Sequence, residues 1–150
     1  MRVNLTFRLK LLLKILVVLL VLPACVSAQD DDEWPPLSYL RNDYKEVAVV
    51  AHVRVKEAEI TNRIGGYENW RIRAEVLESL KGKFKKGDAI EYSHGAEAGF
   101  KQERFMGEKI VFLLRERDQN RKIYYAVLEN STLPYAEHSV KKLRMIRRRR

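Results

Sequence analysis

The chain has 150 residues, 46% hydrophobic and 33% charged, with a formal charge of +9 that belongs to its two ends. Residues 1–28 carry four basic side chains and residues 141–150 carry seven, both without an acid, leaving 18 basic against 20 acidic residues over 29–140. That length holds one small domain, and a near-neutral body argues against a nucleic-acid partner, which would need a sustained basic surface.

The first segment reads as an address. Arg2, Arg8, Lys10 and Lys14 precede an unbroken apolar octet, Ile15 to Leu22, which ends at Pro23 and the small residues Ala24, Cys25, Ser27 and Ala28. A basic start, a short apolar stretch and a small-residue cleavage site make a secretory signal over 1–28, cut after Ala28, and place the mature protein in the periplasm or outside the cell. Eight apolar residues are too few for a transmembrane anchor, which needs about 20. The alternative is lipidation: Leu22-Pro23-Ala24-Cys25 resembles a lipobox, in which acylated Cys25 would tether the chain to a membrane. Cys25 is the sole cysteine, so a cut before Gln29 leaves no thiol, and the core must hold without disulfides.

Residues 29–40, opening QDDDEWPP, read as an acidic, proline-containing linker. Leu37 to Tyr44 can form a short helical turn with Ser38 as its N-cap. Val47, Val49, Ala51, Val53 and Val55 alternate with residues that turn polar, the period-two signature of a strand with one buried face. Asn62 to Gly66 is a turn, and Trp70, Ile72, Ala74 and Val76 alternate with Arg71, Arg73 and Glu75 in a second strand of an antiparallel hairpin. The loop Lys83 to Asp88 leads to a third strand, Ala89 to Ser93. His94 to Gly107 is a long loop with little periodicity. Ile110 to Leu114 (IVFLL) is apolar on both faces, as in a strand buried on both sides or set in a closed sheet. A turn at RDQN precedes a fifth strand, Ile123 to Leu128. Beyond Pro134 the period changes: Ala136, Val140 and Leu143 line one side of a helix over 134–150 that ends in a basic tail. The prediction is a mainly all-β chain: a five-stranded OB-type β-barrel over 41–133 with a C-terminal α-helix, closure removing the edges of a flat sheet.

The segments YKEVAVVAHVRVKEAEI, WRIRAEVLESLKG, GDAIEYSHG and AGFKQERFMGEKIVFLL resemble the netrin-like domain family, which includes the tissue inhibitors of metalloproteinases. The resemblance covers roughly residues 41–128 and implies a five-stranded OB-type barrel. Gly82, Gly87 and Gly107 fit as its turn residues. Two departures bear on activity. Ala98 stands before Gly99 where many relatives carry a cysteine. The family's inhibitors also chelate a protease zinc with an N-terminal cysteine, and neither Gln29 nor an acylated Cys25 can do so.

The chemistry-bearing residues are sparse. His52, His94 and His138 are far apart and lack metal-ligand spacing, so no metal or other cofactor is expected. Ser93 and His94 sit beside Glu97 in SHGAEAG, the basis of a less favoured hydrolase reading, since nucleophile and base normally come from separate elements. Trp70, Arg71, Arg73, Phe84 and Lys85 form a candidate ligand face, because strands two and three of OB folds often carry ligand. Lys141, Lys142, Arg144, Arg147, Arg148, Arg149 and Arg150 form a candidate contact to an anionic membrane or polymer. Asn130-Ser131-Thr132 is a glycosylation sequon, informative only in a eukaryotic secretory pathway. The function expected is therefore a non-enzymatic, exported interaction module for a protein or an anionic surface polymer, the alternative being a protein tethered at a surface by Cys25 or by the basic tail.

Overall fold

The computed structural model describes residues 34–149, apart from the side chains of 129 and 130. Expectations that fall on the signal segment, the cut after Ala28, Cys25 and Arg150 lie outside the described residues. The chain divides into two units, 1–36 and 37–150, and everything below concerns the second.

Helix α1 spans Leu37–Glu46 and buries Leu40 and Tyr44, one turn apart on one face. Residues 37–40, expected as linker, are its first turn, and Ser38 lies inside that turn rather than capping it. The valine alternation forms β1, Val49–Ile64, which turns through Gly65-Gly66 into β2, Tyr67–Lys81. Both glycines have positive φ, 59° and 85°. A two-residue turn of this hand matches the right-handed twist of the flanking strands and strongly favours glycine. The hairpin is therefore longer than the alternation alone predicts. Strand β3 covers Ala89–Glu97, β4 Gly107–Arg117 and β5 Ile123–Pro134, and helix α2 runs Glu137–Arg148.

The strands close into a barrel in the order β1-β2-β3-β5-β4, an OB-type arrangement with a C-terminal helix. Closure falls to β1, which pairs with β2 along one edge and, over Val49–Val55, with β4 along the other. Register shifts against β2, one between Val55 and Glu57, bend this long strand into both partnerships. That shift also moves the inward row from Val49, Ala51, Val53 and Val55 to Ala58.

Two cores follow. The barrel interior holds that row with Trp70, Ile72, Ala74 and Val76 of β2, Ile90 and Tyr92 of β3, and Val111 and Leu113 of β4. The second core lies between the outer wall and both helices, where Val50, Leu80, Ile110 and Phe112 meet Leu40 and Tyr44 of α1 and Val140, Leu143 and Ile146 of α2. The double-sided apolar run IVFLL is thereby explained: Val111 and Leu113 face the interior, Ile110 and Phe112 the helices. Lys81, the last residue of β2, seals the end of α1. Its ammonium donates to the carbonyls of Tyr44 and Val47, where the last carbonyls and the helix dipole favour a cation.

Candidate cleft between β3 and β5

Strand alternation decides which side chains can form a site. On β2 the even-numbered residues point inward, so Trp70 is buried at 4% exposure and packs on Phe105 at 4.7 Å between ring centroids. Arg71 and Arg73 point outward on the opposite face. Arg71 is bonded to Glu59, and Arg73 to Glu57 and Glu91, both at 2.9 Å. Phe84 is half-buried against the barrel core, edge-on to Tyr125 at 5.5 Å. Lys85 lies exposed in a loop pinned by its backbone N–H to Asp88, 2.8 Å. The expected ligand face of Trp70, Arg71, Arg73, Phe84 and Lys85 is thus split between the core, the outer wall and a turn. Its aromatic members are spent on packing and its arginines on ion pairs.

The basic C-terminal residues are divided as well. Helix α2 continues to Arg148, so this stretch is docked structure. Lys142 is buried at 6% exposure. Arg144 makes a two-pronged contact to Glu78, 2.9 and 2.6 Å, and its guanidinium holds the Glu78 carboxyl below the ordinary range. Arg147 donates to the Ser79 carbonyl, and Lys141 reaches Glu137 one turn away. Arg148 and Arg149 remain as exposed cations beyond these contacts.

The sequence expectation also misplaces His94. It is part of β3, opposite Trp70 in the β2 ladder, and it faces the interior while Ser93 faces the other way and donates to the Tyr125 carbonyl. The adjacent Ser–His pair is therefore separated by the pleat of the strand. Burial disfavours the imidazolium and lowers the His94 pKa from its ordinary value. A charged constellation with a histidine lies on the barrel wall, where Glu108 accepts from Arg54 at 2.7 Å and meets His52 Nε2 at 2.9 Å. His52 also stacks on Tyr135, 4.3 Å between centroids. Among the described residues, no three His, Cys, Asp or Glu side chains converge as a metal site would require.

What the topology does bring together is a cleft. Strands β3 and β5 pair at one position, Ser93 with Ala126. Beyond it β5 bulges, five of its steps from Val127 to Thr132 answering two of β4 from Leu113 to Val111. A cleft of about 780 Å³ opens there, lined by His94, Gly95, Ala96 and Glu97 of β3, Val127 and Thr132 of β5, Lys109 of β4, and Phe100, Arg104 and Phe105 of the loop between β3 and β4. The 3₁₀ turn Gln102–Arg104 delivers Phe105 into the barrel end, where it meets Trp70 and, at 5.1 Å, His94. Arg104 lies over the Phe100 ring at 4.2 Å.

Two buried polar atoms of this lining, His94 Nδ1 and Thr132 Oγ1, have no hydrogen-bond partner among the described residues, and Glu68 Oε2 and Trp70 Nε1 share that condition farther along the inward rows. An unmet buried polar group costs about 1–3 kcal/mol, so their concentration at one end of the barrel is a feature needing a cause. Glu68 was foreseeable, since it shares the parity of Trp70 and Ile72. Phe100 and Phe105 carried a weaker signal, two aromatics in a polar loop. Thr132 and Lys109 carried none, because only the closing of β5 and β4 into the barrel brings them to His94. Compared with known proteins, the chain matches no family model and no curated protein.

Proposed function

We propose that this protein is an exported interaction module that takes an extended polypeptide segment into the cleft between β3 and β5. The carrying observation is the parting of the two strands beyond Ser93 and Ala126, with His94 Nδ1 and Thr132 Oγ1 buried and unpartnered in the space between them. A strand edge offers backbone hydrogen bonds to an added chain, and pockets beside it select alternate side chains. The cleft supplies both: the edge of β3 for the main chain, and Phe100, Phe105 and Val127 with Lys109, Arg104 and Glu97 for apolar and charged side chains. Gly95 favours close approach, since a Cβ there would meet only the Asn69 side chain, at 3.8 Å. A reaction centre is less well supported, because among the described residues neither Ser93 nor a carboxylate is hydrogen-bonded to His94, the pairing on which nucleophile activation depends. Export rests on the signal-like N-terminus.

The test is panning of a random phage-displayed peptide library against the full chain, followed by affinity measurement on synthetic peptides. Selected peptides should lose about tenfold in affinity or more on Thr132→Val or His94→Ala, since about 1.4 kcal/mol separates each decade. A selection without consensus, or peptides indifferent to both substitutions, would refute the reading.

A further inference from the structure

A second opening lies on the opposite side of the barrel wall, between the two helices. Leu37, Arg41 and Lys45 of α1 recur at helical spacing along one side of it, and Met145, Ile146 and Arg149 stand along the other, enclosing about 330 Å³. Its floor is apolar, and Met145 is 44% exposed beside the buried Ile146. Its rim carries three cations and no acid. These cations are unlike the rest of the basic C-terminus: Arg144 and Arg147 are held by β2, whereas Arg41, Lys45 and Arg149 make no ion pair with any described residue and are exposed.

We infer that this interhelical groove is a contact site for an anionic phospholipid bilayer, Arg41, Lys45 and Arg149 engaging headgroup phosphates while Met145 enters the acyl boundary. The inference goes beyond the peptide cleft and is independent of it. Charge complementarity selects the occupant: an exposed apolar side chain within a ring of unpaired cations suits an interface that is anionic outside and hydrocarbon within. Acylation of Cys25, the alternative to a cut after Ala28, would set a lipid anchor twelve residues before Leu37, a groove residue.

The test uses the full chain, labelled at its methionine methyl groups, with lipid nanodiscs of equal parts phosphatidylcholine and phosphatidylglycerol that contain a spin-labelled lipid. The Met145 methyl signal should broaden while that of Met106, packed against the barrel core, should not. Nanodiscs of phosphatidylcholine alone should leave both sharp. Combined substitution Arg41→Gln, Lys45→Gln and Arg149→Gln should abolish the Met145 broadening and lower the groove's affinity about 100-fold, each basic residue near an anionic surface being worth about fivefold. An unchanged Met106 signal verifies the fold of that variant, and Met145→Gln, with the cations intact, should weaken binding less than the triple change. Sharp Met145 in protein that is nanodisc-bound would overturn the inference and assign the binding to residues 1–33. Broadening that survives the triple substitution, or equals that on phosphatidylcholine alone, would overturn it as well.

Discussion

Leu143→Ala probes the claim that α2 is part of the fold. Leu143 is 0% exposed, in the outer core formed by Leu40, Leu80, Ile110 and Phe112. Truncating such a leucine removes its transfer free energy and leaves a cavity, a loss of about 2–5 kcal/mol. With a urea dependence of about 2 kcal/mol per molar for a domain of this size, the midpoint should fall by about 1–2.5 M. Alanine and leucine are both strong helix formers, so propensity accounts for little of this. Leu143→Met, which conserves volume, should cost less than about 1.5 kcal/mol. Met145→Ala, two residues away on the exposed side, should stay within about 0.5 kcal/mol. Urea denaturation followed by circular dichroism reads all three. A Leu143→Ala loss below about 1 kcal/mol, or one equal to that of Met145→Ala, would mean that α2 does not close the outer core.

Two further outcomes follow from local geometry. Burial depresses the His94 pKa below its ordinary value of 6.5, so the unfolded chain binds the proton first. The associated stability is complete above pH 6.5 and is lost as the pH falls through that value toward the lower folded one. His94→Gln should flatten this part of the stability profile between pH 8 and pH 5, and an unchanged slope would refute the assignment. At Gly82, φ is +102° and an added Cβ would lie 3.1 Å from the Ala48 carbonyl oxygen and 3.2 Å from Val49 Cγ2. Gly82→Ala should therefore cost about 2 kcal/mol or more, and Gly87→Ala, at φ +91° with open space, nearer the backbone penalty alone of about 1–2 kcal/mol. Equal losses in thermal unfolding would show that the contact with β1 is not limiting.

The candidate site was less legible in the sequence than the barrel. Trp70, Arg71 and Arg73 look like one basic aromatic patch when read in order, yet adjacent strand residues face opposite sides, so the tryptophan joined the core and the arginines found Glu59, Glu57 and Glu91. Ser93 and His94 were separated for the same reason. In the basic tail, residues that look equivalent were sorted by helical phase: Arg144 and Arg147 toward β2, Lys142 inward, Arg149 to the groove.

Hydrophobic period alone determined five strands, the closing helix and the burial of β4 on both faces, because alternation and helical spacing are properties of neighbouring residues. The tertiary structure alone decided where β3 and β5 part, which polar atoms are stranded between them and which cations lack an acid. Each depends on groups far apart in the chain: Thr132 reaches the cleft of His94 only when β5 wraps the barrel, and Arg41 faces the groove of Arg149 only when both helices lie on one wall.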